Sequence, residues 1–159
     1  MSEHRVGTGF DAHALEEGVA LVLGGVRIDH PRGLAGHSDG DVLAHALTDA
    51  LLGAAGLEDI GALFSSDDPA LEGADSIELL RRAWERVQAH GWQLANADVV
   101  LIGERPRLAP RRDEMRARLA EALGVDAELV AVRATTTDRL GFTGRGEGLA
   151  AQAVALLRR

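Results

Sequence analysis

The chain has 159 residues and a formal net charge of −8, which suits one domain with a buried core and disfavours a nucleic-acid scaffold. It has no cysteine, which excludes disulfides and thiolate metal sites, so any metal would need histidine and carboxylate ligands. No apolar run is long enough to span a membrane, and the first residues lack a hydrophobic signal core. We therefore expect a cytoplasmic protein whose residues 1–159 form a single domain, with neither nucleic acid nor membrane as partner.

Periodicity and turn residues predict a compact mixed sheet with helices packed on it. Strands are expected over residues 5–13, 19–28 (interrupted by Gly24-Gly25), 95–102 and 130–134, and helices over 41–55, 75–90 and 113–123. Ser38 or Asp39 is expected to cap the first helix, and Asp75 with Glu78 marks the start of the second. Residues 149–157 are ambiguous, because their Ala, Leu and Gln content favours a helix by propensity alone.

Two histidines and three aspartates fall within fourteen residues from His37 to Ala50, where a loop runs into the first helix. Earlier in the chain, Asp11 and His13 lie two apart in a predicted strand, so their side chains point the same way. If His45 of the helix meets them, the three form an Asp-His-His set, which leaves a fourth coordination position open as in catalytic zinc sites. The sequence alone does not bring His45 to the strand, and an isolated D-x-H is common.

Three consecutive threonines (residues 135–137) and then Asp138 follow a predicted strand, and the loop beyond them has glycines at positions 141, 144, 146 and 148. Hydroxyls and free backbone N–H groups suit phosphate oxygens, and Arg145 can add a positive charge. The spacing matches neither the Walker nor the dinucleotide fingerprint, so a plain glycine-rich turn explains the segment equally well. The acidic loop over residues 58–69 can bind sugar hydroxyls or a metal, and the loop over residues 103–110 can bind a base. Both can also serve only as turns and connectors.

Four motifs together resemble the 2-C-methyl-D-erythritol 2,4-cyclodiphosphate synthases of the non-mevalonate isoprenoid pathway. They are G-F-D-A-H, H-S-D-G-D-V-x-x-H-A-L-T-D-A-L-L-G-A, D-I-G-x-L-F and A-T-T-T-x-x-L-G-F-T-G-R-G-E-G, and the likeness extends from Arg5 to Leu157. The resemblance implies an α+β fold with a mixed sheet and helices on one face, assembled as a homotrimer with the sheets around the three-fold axis. It also makes residues 149–157 a strand, and we follow it because buried sheet context overrides propensity.

The family reaction turns 4-diphosphocytidyl-2-C-methyl-D-erythritol 2-phosphate into the 2,4-cyclodiphosphate and CMP, by attack of the 2-phosphate on the β-phosphorus. By motif, Asp11, His13 and His45 would bind zinc, and Asp138 would bind magnesium (or manganese) at the diphosphate. His37 and Thr136 would stabilise the pentacoordinate phosphorus. The resemblance implies substrate contacts for Ser38, Asp59, Ile60, Gly61, Phe64, Asp68, Gly103, Pro106, Arg107, Ala109, Ala134, Thr135, Thr137, Phe142 and Arg145. Phe142 and Arg145, with Glu147, match residues lining a central cavity that can take an isoprenoid diphosphate.

This chain departs from the family pattern at two positions. The family commonly has Glu where this chain has Asp138, whose side chain is one methylene shorter. An acid often found two residues before Asp68 is replaced by Ser66. Neither change touches the expected zinc ligands.

Two other classes of function remain open at this stage. One is a trimeric binding module that senses isoprenoid diphosphates without turnover, although such a module needs no open metal site. The other is a zinc phosphohydrolase, which would need a base to activate water, and the sequence offers no dedicated candidate for that base.

Overall fold

The computed structural model describes Met1–Arg159 as an α+β fold. Its strands are β1 (His4–Glu17), β2 (Leu21–Leu23), β3 (Val26–Ile28), β4 (Arg32–Leu34), β5 (Gln93–Ile102), β6 (Val130–Thr135) and β7 (Gly148–Arg158). Its helices are α1 (Val42–Ala54), α2 (Ile60–Leu63), α3 (Ser76–Ala89), α4 (Arg112–Leu123) and α5 (Gly141–Gly144). Short 3₁₀ turns cover Pro69–Leu71, Ala109–Arg111 and Ala127–Leu129. None of the helices is long and apolar enough to cross a membrane.

The main sheet is mixed and has the strand order β4-β1-β7-β5-β6. β7 runs antiparallel to both of its neighbours, whereas β5 and β6 are parallel. The C-terminal segment is therefore the central strand, as the resemblance implies and against its helix propensity. Pairing on both edges and the burial of its inward-facing alanines outweigh that propensity.

Two glycines of β1 bring the first helix onto the sheet. A Cβ at Gly7 would overlap the carbonyl oxygen of Ala50, and one at Gly9 would overlap that of Ala46. Because neither position carries a side chain, the backbone of α1 lies directly against the strand. This close approach sets His45 beside the inward-facing residues that follow Gly9 on β1.

The expected caps of α1 are wrong: Asp41, not Ser38 or Asp39, is its N-cap. The Asp41 carboxylate is fully buried and accepts hydrogen bonds from the N–H groups of Ala44, Gly24 and Gly25 at 2.8–3.1 Å. Gly24 and Gly25 both have positive φ, which makes them the tight turn of the β2–β3 hairpin. The glycine pair therefore does more than interrupt a strand, since it also binds the start of α1.

The other predicted elements are present with shifted ends, and three short elements were missed. β1 extends to Glu17, and its pairing with β4 involves a strand that the sequence analysis did not predict. Both α2 and α5 have only four residues and carry too little periodicity to predict. Asp75 caps α3 as expected, accepting from the N–H of Ile77 at 2.9 Å.

The helices pack against one face of the main sheet and leave the opposite face uncovered. Apolar side chains on that open face include Val6 and Phe10 of β1 and Val154 of β7, which are 67%, 59% and 40% exposed. Asp98 and Arg133 lie on the same face and form a bidentate salt bridge, in which Nε and Nη2 of Arg133 donate to the two Asp98 carboxylate oxygens at 3.0 and 2.7 Å. A chain in isolation thus exposes an apolar sheet surface of the kind that marks an interaction site.

Candidate active site

Asp11, His13 and His45 form a cluster where β1 meets α1. The Oδ2 atom of Asp11 lies 3.0 Å from Nε2 of His13 and 3.0 Å from Nδ1 of His45. The three ligand atoms all lie within 4.8 Å of one another. Residues two apart on the strand face the same way, and the glycine-mediated approach of α1 adds the third member. The expected convergence of the three side chains is therefore confirmed.

The chemistry of this cluster fits a divalent cation. The Nε2 atom of His13 is buried and, despite its short distance to Asp11, has no partner in hydrogen-bonding geometry. Burial raises the pKa of the Asp11 carboxyl, but the two imidazoles outweigh it and lower that pKa to about 2. The Asp11 carboxylate in turn raises the pKa of His13, against the effect of burial. An ionised carboxylate and two imidazole nitrogens converging on one point constitute a three-ligand set suited to zinc or a similar metal.

A cavity of about 330 Å³ opens over this cluster. Besides the three cluster residues, it is lined by His37, Ser38, Ile60, Gly61, Phe64, Ser66, Leu71 and Leu79. Five of these eight are among the residues expected to contact substrate or phosphorus. Ser66, the position that lacks the family's acid, also lies on the wall and presents a hydroxyl there.

Aspartates shape the wall of this cavity through backbone contacts. Asp49 of α1 accepts from the N–H of Ile60 at 2.7 Å, and burial raises the pKa of its carboxyl. Asp59 caps α2, and its Oδ1 accepts from Ala62 at 2.8 Å. His37 donates from Nε2 to the carbonyl of Asp68 at 2.9 Å, so Asp68 meets the histidine through its backbone. Asp59 and Asp68 themselves lie outside the set of residues that line the cavity.

A second, larger cavity of about 690 Å³ lies beyond the ends of β5 and β6. Its lining includes the expected residues Gly103, Pro106, Arg107, Ala109, Ala134, Thr135, Thr136 and Arg145. It also includes Glu104, Arg105, Arg112 and Arg139, which the sequence analysis did not single out. Four arginines without an acidic partner in contact (Arg105, Arg107, Arg112 and Arg139) make this cavity suitable for an anionic ligand.

The turn that carries Thr136 and Asp138 is held by Glu104. The two Glu104 oxygens accept from the N–H groups of Thr137 and Arg139 at 3.3 and 3.2 Å. Asp138 and Arg139 both have positive φ, which non-glycine residues adopt only when surrounding contacts hold them there. Thr136 donates to the Asp138 carboxylate at 3.3 Å. The Thr137 hydroxyl hydrogen-bonds to the Leu140 carbonyl and to the Thr143 hydroxyl, so it is used within the turn itself.

Phe142 belongs to neither of these cavities. It lines a third, of about 250 Å³, together with Glu147 and the backbone side of His13. Arg145 forms an ion pair with Glu147 at 2.8 Å, and both side chains are more than half exposed. The expected site residues thus divide among three surfaces of the chain.

Sequence reasoning missed two residues next to the metal cluster. Ser76 is fully buried, and its Oγ lies 2.7 Å from Nε2 of His45 and hydrogen-bonds to the Asp39 carboxylate. Asp39 lies inside the H-S-D-G-D motif but was considered only as a helix cap. Ser76 follows the cap of α3, and no local signal connects it with a helix thirty residues earlier.

Comparison with known proteins agrees with the geometry. A model of the YgbB family matches residues 4–158. A curated relative from Rubrobacter xylanophilus, named 2-C-methyl-D-erythritol 2,4-cyclodiphosphate synthase, is 61% identical over 162 residues, covering 100% of this chain and 98% of its own. The structure of the bifunctional IspDF from Campylobacter jejuni matches with a TM-score of 0.96 at 44% identity, over 99% of this chain and 43% of that longer one.

A further solved structure, described as 2C-methyl-D-erythritol-2,4-cyclodiphosphate synthase in a CDP-bound form, matches with a TM-score of 0.88 at 41% identity. The match covers 96% of this chain and 99% of that one. The family model spans almost the whole chain, and the motifs, the fold and the clustered Asp-His-His set agree with it. The chain belongs to the YgbB family.

Proposed function

We propose that the chain converts 4-diphosphocytidyl-2-C-methyl-D-erythritol 2-phosphate into 2-C-methyl-D-erythritol 2,4-cyclodiphosphate and CMP, a step of isoprenoid precursor biosynthesis. The observation that carries the proposal is the Asp-His-His set at the floor of the cavity lined by His37 and Ser38. The relative that is 61% identical over the whole chain carries this name, and one related structure is described as a CDP-bound form, CDP being the nucleotide part of the substrate.

The reaction balances without water or a redox partner. An oxygen of the 2-phosphate forms a bond to the β-phosphorus, and the anhydride bond between the α- and β-phosphates breaks to release CMP. Because nucleophile and electrophile belong to one molecule, the protein's work is to fold the substrate and compensate its charge. We infer that the activity is that of a metal-dependent phosphorus–oxygen lyase, and we expect it in the cytoplasm.

Asp11, His13 and His45 would hold zinc, because two imidazoles and one carboxylate without thiolate suit that ion and leave a coordination position open. When bound there, such a cation would compensate the negative charge of a phosphate group. His37 is oriented by the hydrogen bond from its Nε2–H to the Asp68 carbonyl, and the doubly protonated ring would have its Nδ1–H available to donate to a phosphate oxygen.

The methylerythritol part of the substrate fits the wall formed by Ile60, Gly61 and Phe64. Asp59 would accept from sugar hydroxyls, since only its Oδ1 is engaged in capping α2. Ser38 lines the same cavity, and Asp68 is proposed as a further substrate contact although it lies outside that lining. This part of the site offers acceptors for hydroxyl groups, with an apolar surface for the methyl-bearing carbon chain.

The nucleotide would bind in the arginine-lined cavity beyond β5 and β6. Gly103, Pro106, Arg107, Ala109, Ala134, Thr135 and Thr137 would contact the base and its phosphates. Thr136 would donate to the phosphorus oxygens, and Asp138 would hold magnesium or manganese at the diphosphate.

The two cavities of one chain suggest that each complete site is built from two chains, with each chain supplying one half. We propose a homotrimer in which the nucleotide cavity of one copy faces the metal cluster of the next. The open sheet face supports this assembly, because Val6, Phe10 and Val154 are left exposed in the single chain. Phe142, Arg145 and Glu147 would then surround a central cavity able to take an isoprenoid diphosphate.

Light scattering of the purified protein tests the assembly, with a mass of three chains expected. Phe10→Glu places a charge on the open face and should reduce the mass to that of one chain, whereas Glu121→Gln on the helical side should not change it. A single-chain mass for the unaltered protein would contradict the trimer.

Phosphorus NMR of the protein with the substrate, zinc and magnesium tests the reaction. Appearance of a cyclic diphosphate with an equal amount of CMP is the expected result. Unchanged substrate with zinc bound would instead indicate a binding module, and free phosphate would indicate a hydrolase.

A further inference from the structure

The His45 ring has hydrogen-bonding partners on the side away from Asp11. Its Nε2 lies 2.7 Å from Oγ of Ser76 and 3.1 Å from Oγ of Ser38. Ser76 is fully buried and His45 is only 8% exposed, so the shorter contact is shielded from water. A hydrogen bond in such surroundings is strong when complete and costly when a partner is lost.

The Asp39 carboxylate fixes the direction of this hydrogen bond. It accepts from the Ser76 hydroxyl, from the N–H of Ser76 at 3.1 Å and from the N–H of Asp41 at 3.1 Å. An ionised carboxylate only accepts, so the single hydroxyl proton of Ser76 points to Asp39. The Ser76 oxygen is then left to accept, and the proton between Ser76 and His45 must come from His45.

From this chain of contacts we infer that Asp39 and Ser76 are positioning residues for metal binding. Asp39 orients the Ser76 hydroxyl, and the Ser76 oxygen accepts the Nε2–H hydrogen bond of His45. The Nδ1 lone pair, on the side of Asp11, can then ligate the metal. The inference rests on the proposed role of His45 as a metal ligand. A ligating imidazole commonly donates its second N–H to such a partner, and loss of the partner typically lowers metal affinity about 10- to 100-fold. Here the partner is a hydroxyl polarised by a carboxylate.

The same contacts join two loops that the sequence separates. The N–H of Asp39 bonds to the carbonyl of Ala74 at 3.1 Å, and the N–H of Gly73 bonds to the carbonyl of His37 at 2.7 Å. Asp39 therefore holds the start of α3 against the loop before α1 and sets the position of Ser76. The H-S-D-G-D motif thus contributes to the metal site through its third residue as well as through the helix that follows.

The test measures zinc affinity by competition with a chromophoric chelator, and needs no turnover. Ser76→Ala should weaken zinc binding about tenfold or more, with Ser38 keeping part of the contact. Ser76→Thr keeps the hydroxyl and should restore most of the affinity. Asp39→Asn should weaken binding as well, because an amide N–H directed at Ser76 Oγ releases the hydroxyl proton toward His45 and opposes the Nε2–H form.

Thr48→Ala is the matched control. Thr48 is equally buried and lies on the same helix as His45, but its hydroxyl bonds only to the Ala44 carbonyl at 2.7 Å. It should lose stability in thermal unfolding while its zinc affinity stays unchanged. If Ser76→Ala and Thr48→Ala bind zinc equally tightly, the inference is wrong.

Nitrogen-15 NMR of the zinc-bound protein provides a readout that a purely structural role would not change. The His45 Nε2 proton should be visible and protected from exchange in the unaltered protein, and should exchange faster in Ser76→Ala. An Nε2 proton equally protected in both proteins would overturn the inference, even if the variant binds zinc weakly. Absence of cyclic diphosphate together with the expected zinc and NMR changes would refute the proposed function and leave this inference standing.

Discussion

The cavity over the Asp-His-His cluster and the arginine-lined nucleotide cavity beyond β5 and β6 differ in how deeply their functional residues are buried. The Asp-His-His cluster rests on buried supports, with His45 8% exposed and Ser76 fully enclosed. In the arginine-lined cavity, Thr135 and Thr136 are exposed, as is Asp138 in the turn beside them. Glu104 holds that turn through two longer hydrogen bonds. The first region is complete within one chain, whereas the second presents an open, cationic surface.

This difference indicates where each region obtains its rigidity. A metal site needs ligand atoms fixed to within a fraction of an ångström, and packing of α1 onto β1 provides that before any ligand binds. A flexible anionic substrate can be recognised by arginines and threonines that order upon binding. A single substitution should therefore cause a large loss of metal binding or activity at the Asp-His-His cluster, and only a small change in substrate affinity at the nucleotide cavity.

The largest effect is expected from His45→Ala. Removing one of three ligands should abolish stoichiometric zinc binding and with it the formation of cyclic diphosphate. Metal analysis after dialysis, together with phosphorus NMR, measures both. His90→Ala serves as control, because the side chain of that exposed histidine hydrogen-bonds only to the Arg86 carbonyl of its own helix. Activity that persists in His45→Ala would show that the zinc assignment is wrong.

The next effect concerns stability near the metal cluster. Asp41→Ala would leave three backbone N–H groups without an acceptor, two of them in the hairpin turn, and should lower the free energy of unfolding by about 3 kcal/mol. Asp75→Ala, an exposed cap with one accepted hydrogen bond, should cost only about 1 kcal/mol. Urea unfolding at pH 5 compares the two. Equal losses of unfolding free energy in the two variants would show that the burial of Asp41 does not increase its contribution to stability.

The same carboxyl predicts a pH dependence. Burial raises the pKa of Asp41 to about 6, assisted by the charge of Asp39, although backbone N–H groups act against it. Between pH 4 and 6 the folded chain then holds a proton that the unfolded chain has released, so stability falls as pH rises through this window. The deficit of Asp41→Ala relative to the unaltered protein should therefore shrink from pH 4 to pH 6. A deficit that grows over this window would contradict the raised pKa.

The smallest effect is expected in the nucleotide cavity. Glu104→Gln keeps one of the two acceptors for the turn that bears Asp138. It should raise the KM for substrate about fivefold and change kcat less, because roughly one hydrogen bond is lost. Its unfolding free energy should change by less than about 0.5 kcal/mol. Steady-state kinetics and urea unfolding measure these quantities. A loss of zinc affinity in this variant would show that the two cavities are coupled within one chain.

The sequence predicted much of the fold because most elements carry a local pattern. The periodic helices 41–55 and 75–90 and the alternating strand at residues 5–13 were located to within a few residues, and Asp75 was the correct cap. The four-residue helices and β4 were missed because so few residues carry no period. Motif resemblance rather than propensity identified β7, since its Ala and Leu content alone favours a helix.

For the site, the sequence by itself determined which residues could bind a metal: no cysteine, a D-x-H pair and a histidine in a long motif. Tertiary structure decided that these side chains meet, because only Gly7 and Gly9 let α1 lie flat on β1. It also decided that Asp41 points to a hairpin and that Ser76 supports His45. Such contacts join residues far apart in the chain, and their energy depends on burial and distance, which no local pattern records.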